Sequence, residues 1–249
     1  MKALRPLTLL VGLTGLWQLL VTLTEVPPYI LPGPLPVARA MAAHLPALAG
    51  HLGATLTEIL LGLSLGTLLG SSAALAMILS PLLKRWMLPV LVASQAVPVF
   101  AMAPILVLWL GYGMASKVAM AVLIIFFPVA SSFYSGMRRT DADLLELARI
   151  MDARPLKVLT CIVIPSALPS FAAGLRVATA VAPIGAVVGE WVGSSRGLGY
   201  FMLHANARMQ IDLMFAALTV LAAASLSLYF LVDRLLDRLV FWQPKDAGQ

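Results

Sequence analysis

The chain has 249 residues, 61% of them hydrophobic and only 11% charged, with a net charge of +6. A soluble domain is roughly 45–50% apolar and about 25% charged, so this composition excludes a soluble core of ordinary size and predicts an integral membrane protein. The apolar segments are long and do not alternate, which points to an all-α membrane fold rather than a barrel.

The basic balance is read as Lys and Arg gathered on the cytoplasmic side of a membrane protein, not as a nucleic-acid footprint. The single Cys161 excludes an internal disulfide and is expected to serve packing. His44, His51 and His204 lack the spacing of a metal site, which needs three or four ligands at defined positions.

Six transmembrane helices are predicted. The first, about 7–24, follows Lys2 and Arg5 and stops at Pro27-Pro28. Its apolar run is longer than that of a signal peptide, and no small-residue cleavage site follows it. Residues 25–53 are too rich in proline to span, though Pro36 to Leu48 suits a short interfacial helix. The second span, about 54–79, carries Gly62, Gly66 and Gly70 at fourfold spacing. Such a stripe either marks a close helix contact, within the bundle or across a dimer, or is the ordinary glycine of membrane helices.

The third span, about 87–110, contains Pro89, Pro98 and Pro104 with Ser94 and Gln95, a kinked and partly polar helix. Such a helix is a pointer to a solute pathway, since freed carbonyls need partners or a wet cavity; a purely structural kink is the alternative. On this ground Gln95, Pro98 and Met102, together with Glu190 in the fifth span, are the candidate pathway residues. Glu190 has two other readings, a solvated residue at the outer end of its span or a partner for Arg196.

The fourth span is about 117–135, the fifth about 168–192 and the sixth about 211–232. Arg176, near the inner end of the fifth, is expected to snorkel. Lys2, Arg5, Lys84, Arg85, Arg138, Arg139, Arg149, Arg154, Lys157, Arg234, Arg238 and Lys245 fall on the side of the termini, against Arg39, Lys117, Arg196 and Arg208 on the other. This bias predicts cytoplasmic termini and a cytoplasmic loop over 136–165. The whole of 1–249 reads as one membrane domain.

There is no Gly-Lys dipeptide, and so no phosphate-binding P-loop. Only Glu58 and Glu190 lie in or near spans, too little acid for a proton relay across the bundle. The loop is the longest stretch not dominated by apolar residues. Asp141 and Asp143 suit the start of a helix whose apolar surface is Leu144, Leu145, Leu147, Ala148 and Met151. Asp152 then breaks that helix and is expected to cap a second one, with Pro155 in its first turn and Ile164-Pro165 at its end.

Glu146-Leu147-Ala148, then Asp152, then Ile162-Val163-Ile164-Pro165 resembles the pattern E-A-A, three residues, G, nine residues, I-x-L-P of the permease subunits of bacterial ABC importers. The spacing is kept, with Leu147, Asp152 and Ile164 in place of alanine, glycine and leucine. Ile105 to Gly113, Phe126-Phe127-Pro128, Val188 to Ser195 and Gly197 to Tyr200 are similar to the nitrate/sulfonate/taurine type of that family.

The resemblance implies a type I importer permease that is not itself an enzyme, has no cofactor of its own, and sits in the bacterial inner membrane. It implies a homodimer that works with two ATPase subunits holding ATP and Mg and with a periplasmic binding protein. Glu146, Leu147, Ala148, Asp152, Ile162, Ile164 and Pro165 would then couple to the ATPase. Ser94 to Phe100, His204 to Arg208 and Asp212 to Ala217 look most like the branch for the hydroxymethylpyrimidine precursor of thiamine. A sulfonate, nitrate or riboflavin-like solute is the alternative. A self-contained carrier or channel and a membrane scaffold are the opposing classes.

Overall fold

The computed structural model describes residues 4–242; Lys2 and Lys245 of the charge tally lie outside them. The described residues form α1 (Leu4–Thr24), α2 (Pro34–Ala43), α3 (Leu45–Leu79), α4 (Pro81–Ala96), α5 (Val99–Leu110), α6 (Met114–Arg138), α7 (Ala142–Ile150), α8 (Pro155–Val158), α9 (Ile164–Gly193), α10 (Leu198–Ala207) and α11 (Ile211–Leu239). Helices α3, α6 and α11 and the run Pro155–Gly193 are each long and apolar enough to cross a membrane, and the α4–α5 pair makes a fifth if counted as one bent span. The described apolar part of α1, Val11–Thr24, is shorter.

Three expectations are corrected. The third span is not one helix: α4 and α5 meet at 105°. Val97 is extended, at φ −82° and ψ 121°, because the ring of Pro98 disfavours a helical residue before it. The interfacial helix expected over Pro36 to Leu48 ends instead at Ala43, and α3 starts at Leu45, nine residues before the predicted 54. Pro46 falls in its first turn, where a missing N–H costs nothing.

The third correction concerns the second helix of the loop, which does not end at Ile164-Pro165. A π-helical turn, Leu159–Val163, joins α8 to α9, and the N–H of Ile164 bonds to Leu159 O. The i→i+5 turn lets Pro165 enter without breaking the rod. Arg139 to Arg154 thus hold all of the non-spanning loop except its second helix, which is the first turn of a 39-residue run.

Helix α6 is the centre of the bundle, held between α3 and α9 by small residues. Gly62, Gly66 and Gly70 of α3 face Ala121, Ile125 and Val129 of α6, so the glycine stripe is a contact within the bundle. A Cβ on Gly66 would lie 2.6 Å from Ile125 Cγ2. On the other flank a Cβ on Gly185 of α9 would lie 2.7 Å from Ala121 Cα. Lipid tails are as apolar as the side chains, so close backbone approach and van der Waals contact hold these helices together, not apolar burial.

Arg176, expected to snorkel, has two carboxylate partners. It reaches from α9 to α11, its Nε 2.5 Å from Asp233 and its Nη2 2.7 Å from Asp237. Cys161, expected in packing, is exposed.

Candidate functional site

The loop between α6 and α9 is an elbow. Asp141 caps α7, its carboxylate accepting from Asp143 N–H at 2.9 Å. At the other end the N–H of Ala153 donates to Ala148 O at 3.0 Å and that of Asp152 to Arg149 O at 3.1 Å. This is the paired 6→1 and 5→2 bonding of a Schellman turn.

Asp152 occupies its left-handed position, φ +51°, where glycine is ordinarily preferred and Asp is among the few tolerated alternatives. It is therefore not the cap of the second helix; Arg154 stands there and gives no side-chain bond. Ala148 is buried beneath α7, while Glu146 and Leu147 on the same helix are exposed. Ile150, Met151 and Leu156 stand 77, 71 and 70% exposed around the turn, a surface far more apolar than water favours. Ile162, Ile164 and Pro165 are half-buried along the rod. Ile162 and Cys161 line a cavity of about 260 Å³ that also touches Leu147 and Ala148.

At the opposite end of the bundle lies a polar cluster that the sequence reading missed. His51, Thr55 and Glu58 are spaced i, i+4, i+7 on α3 and share one face. The backbone N–H of Gly197 donates to His51 Nδ1 at 3.1 Å and that of Leu198 to Thr55 Oγ1 at 2.8 Å. Thr55 in turn donates to Glu190 Oε1 at 2.6 Å. Glu190 Oε2 accepts from the N–H groups of Gly199, at 2.5 Å, and Tyr200, at 3.3 Å. Gly197 has φ +113°, and a Cβ there would collide with the Glu190 carboxylate, so the turn is wrapped around that side chain. One helical turn along, Lys117 Nζ of α6 donates to Glu58 Oε1 at 2.8 Å, with the Glu58 side chain fully buried.

Glu190 is only 1% exposed. It is neither solvated at a helix end nor paired with Arg196, and it does not meet the other candidate pathway residues. Gln95 and Pro98 are exposed on either side of the α4–α5 bend. Met102 is half-buried against Ala103, Leu106 and Met120. The signal for the missed cluster was present: the triplet at 51, 55 and 58 continues directly into the glycine stripe at 62, 66 and 70, one buried face of α3. In sequence Lys117 stands at the outer end of its span, where a flanking lysine is ordinary.

A cavity of about 650 Å³ opens between α9, α10 and α11. Trp191, Pro183 and Met202 line it with other apolar residues. Asn206 is the one side-chain amide among the lining residues, and none of them carries a charge.

Residues 45–242 match the family described as binding-protein-dependent transport system inner membrane component. The chain is 53% identical over 240 residues to a probable ABC transporter permease protein of Haemophilus influenzae, covering 96% of this chain and 98% of that one. It is 36% identical over 245 residues to the formylaminopyrimidine transport permease protein ThiX of Halalkalibacterium halodurans, covering 98% of each. It is 38% identical over 242 residues to the riboflavin transport system permease protein RibX of Chloroflexus aurantiacus, covering 96% and 89%. Among solved structures, the fold is shared with the chain of an inward-facing MetNI methionine ABC transporter at a TM-score of 0.67 and 17% identity, over 80% of this chain and 98% of that one. The helix order, the elbow and these matches agree: the chain belongs to the binding-protein-dependent inner membrane component family and is a multi-pass permease subunit of an ABC importer, a transport subunit and not an enzyme.

Proposed function

We propose that the chain works as a homodimer with two ATPase subunits and a periplasmic binding protein, and that it imports a thiamine-precursor pyrimidine. The elbow carries the coupling part of this reading. It presents Glu146 and exposed Leu147, Ile150, Met151 and Leu156 on a fixed turn continuous with a spanning rod. An apolar ridge with an acid on a protruding helix suits a groove on a soluble partner. Glu146, Leu147, Ala148 and Asp152 form the docking helix and its stop, and Ile162, Ile164 and Pro165 lie on the rod that receives the movement. ATP and Mg belong to the ATPase, so the elbow and both termini face the cytoplasm.

The solute reading is supported by similarity to a formylaminopyrimidine permease along 98% of both chains. The cavity beside Trp191 and Asn206 is consistent with it: a ring face and one amide suit a neutral heterocycle, whereas a sulfonate or nitrate would be met there by no cation. A riboflavin-like solute is the second reading, favoured by the 38% match to a riboflavin permease.

The test is uptake into proteoliposomes. Labelled hydroxymethylpyrimidine should enter only with ATP, the ATPase and the loaded binding protein present. Excess riboflavin, taurine or nitrate should not compete. Solute movement by the chain alone would refute the importer reading, and competition by riboflavin would transfer the solute assignment to it. Glu146→Arg should abolish uptake while leaving the chain in the membrane.

A further inference from the structure

Glu190 sits at the far end of the same helical rod that begins at the elbow. From Pro155 to Glu190 the rod is unbroken apart from its π-helical turn, about 50 Å at about 1.5 Å per residue. There Glu190 is tied at once to α3, through Thr55, and to the start of α10, through Gly199 and Tyr200. His51 and Thr55 of α3 hold the same turn by its Gly197 and Leu198 N–H groups. The Lys117–Glu58 pair adds α6 to the assembly.

Four helices therefore meet at one buried carboxylate and its neighbours, on the side opposite the elbow. Small-residue contacts along the middle of the rod allow close packing but carry no directional bond. The polar cluster is directional and buried, where a misplaced donor or acceptor is costly.

We propose that Glu190 is a positioning residue of the transport cycle: movement delivered to the elbow travels along α9 and is handed by Glu190 to α3 and α10, so that the turn Ser194 to Tyr200 shifts with them as one body. The inference rests on the importer reading, which supplies the movement at the elbow. Glu190 touches no solute; it fixes the register of α9 against the two elements around it.

Glu190→Gln tests this in the reconstituted complex of permease, ATPase and binding protein. Three donors converge on the carboxylate, and an amide places its own N–H₂ against one side of them. The expected result is unchanged copurification of the ATPase, with stimulation of ATP hydrolysis by loaded binding protein, and solute moved per ATP, falling by about fivefold or more. If Glu190→Gln does not accumulate in the membrane, the near-isosteric Thr55→Val is read in the same assay, with the same loss expected.

Wild-type stimulation and uptake per ATP in the variant that accumulates would overturn the inference alone. So would a complex that is merely less abundant but keeps its stimulation ratio, since that is a local structural role. Failure of the wild-type chain to retain any ATPase would overturn the importer reading and this inference with it.

Discussion

Lys117→Met separates two accounts of the buried ion pair. Its partner Glu58 has no exposed side-chain surface, and Glu58 Oε2 already lacks a protein hydrogen-bond partner. Interhelical polar contacts in membrane proteins average only about 0.6 kcal/mol, because a freed group finds another partner in the membrane. Removing one member of a buried ion pair instead costs about 3–5 kcal/mol, because it strands a charge.

The geometry selects the second value. Glu58 is walled in between α3 and α6, and Glu190 brings a second carboxylate, not a cation, to the same cluster. At about 2–4 °C per kcal/mol for a chain of this length, the apparent melting temperature of Lys117→Met in detergent should fall by about 6–20 °C. The double variant Lys117→Met/Glu58→Met should recover most of that loss, since replacing a whole buried pair by apolar residues is near neutral. Fluorescence-detected size exclusion after a heat series measures both. A shift of the single variant below about 2 °C, or a double variant as unstable as the single one, would refute the reasoning.

Gly185→Ala should destabilise by about 1–3 kcal/mol, since its Cβ meets the Ala121 backbone, whereas Gly53→Ala, with nothing within 4 Å, should be neutral in the same heat series. Asp152→Gly should raise stability by a few tenths to about 1 kcal/mol by removing a left-handed non-glycine residue, and Asp152→Val should lower it by about 1–2 kcal/mol; opposite signs in a melting assay would show that the turn is not left-handed. Arg176→Gln should cost no more than about 1 kcal/mol despite its two carboxylate partners, because Asp233 and Asp237 are a third or more exposed and solvent screens them.

The membrane class and the loop were legible because both depend on local composition. The left-handed position at 152 was signalled only by the resemblance, which sets a glycine there; the residues alone pointed to Asp152 as the cap of the second helix. The errors at Pro46 and Pro165 both overrate proline as a helix breaker: Pro46 counted against a span and Pro165 as a helix end, yet one sits in a first helical turn and the other directly follows a π-helical turn. The bend at Pro98 was read as a kink because sequence marks where a helix breaks and not by what angle. The Lys117–Glu58 and Glu190–Thr55 pairs were hidden by separations of 59 and 135 residues. Only the shared face of 51, 55 and 58 with the glycine stripe announced that something polar had to meet α3 there.

Contacts of two kinds divide the bundle. Glycine seams set how closely α3, α6 and α9 approach but constrain sliding weakly. Hydrogen-bonded pegs fix register, and α9 has two, Glu190 near its C-terminal end against α3 and α10 and Arg176 near its middle against α11. Among the described residues no side-chain hydrogen bond or ion pair joins α4 or α5 to another helix, and α4 buries only Leu91. The exposed Val97-Pro98 junction between them lacks a continuous helical ladder. The α4–α5 pair is thus the spanning element freest to move against a pegged frame. Amide exchange in the assembled transporter should then be faster over 95–101 than over 185–192. Equal protection of the two segments would show that apolar packing alone holds the bent pair as firmly as pegs hold α9.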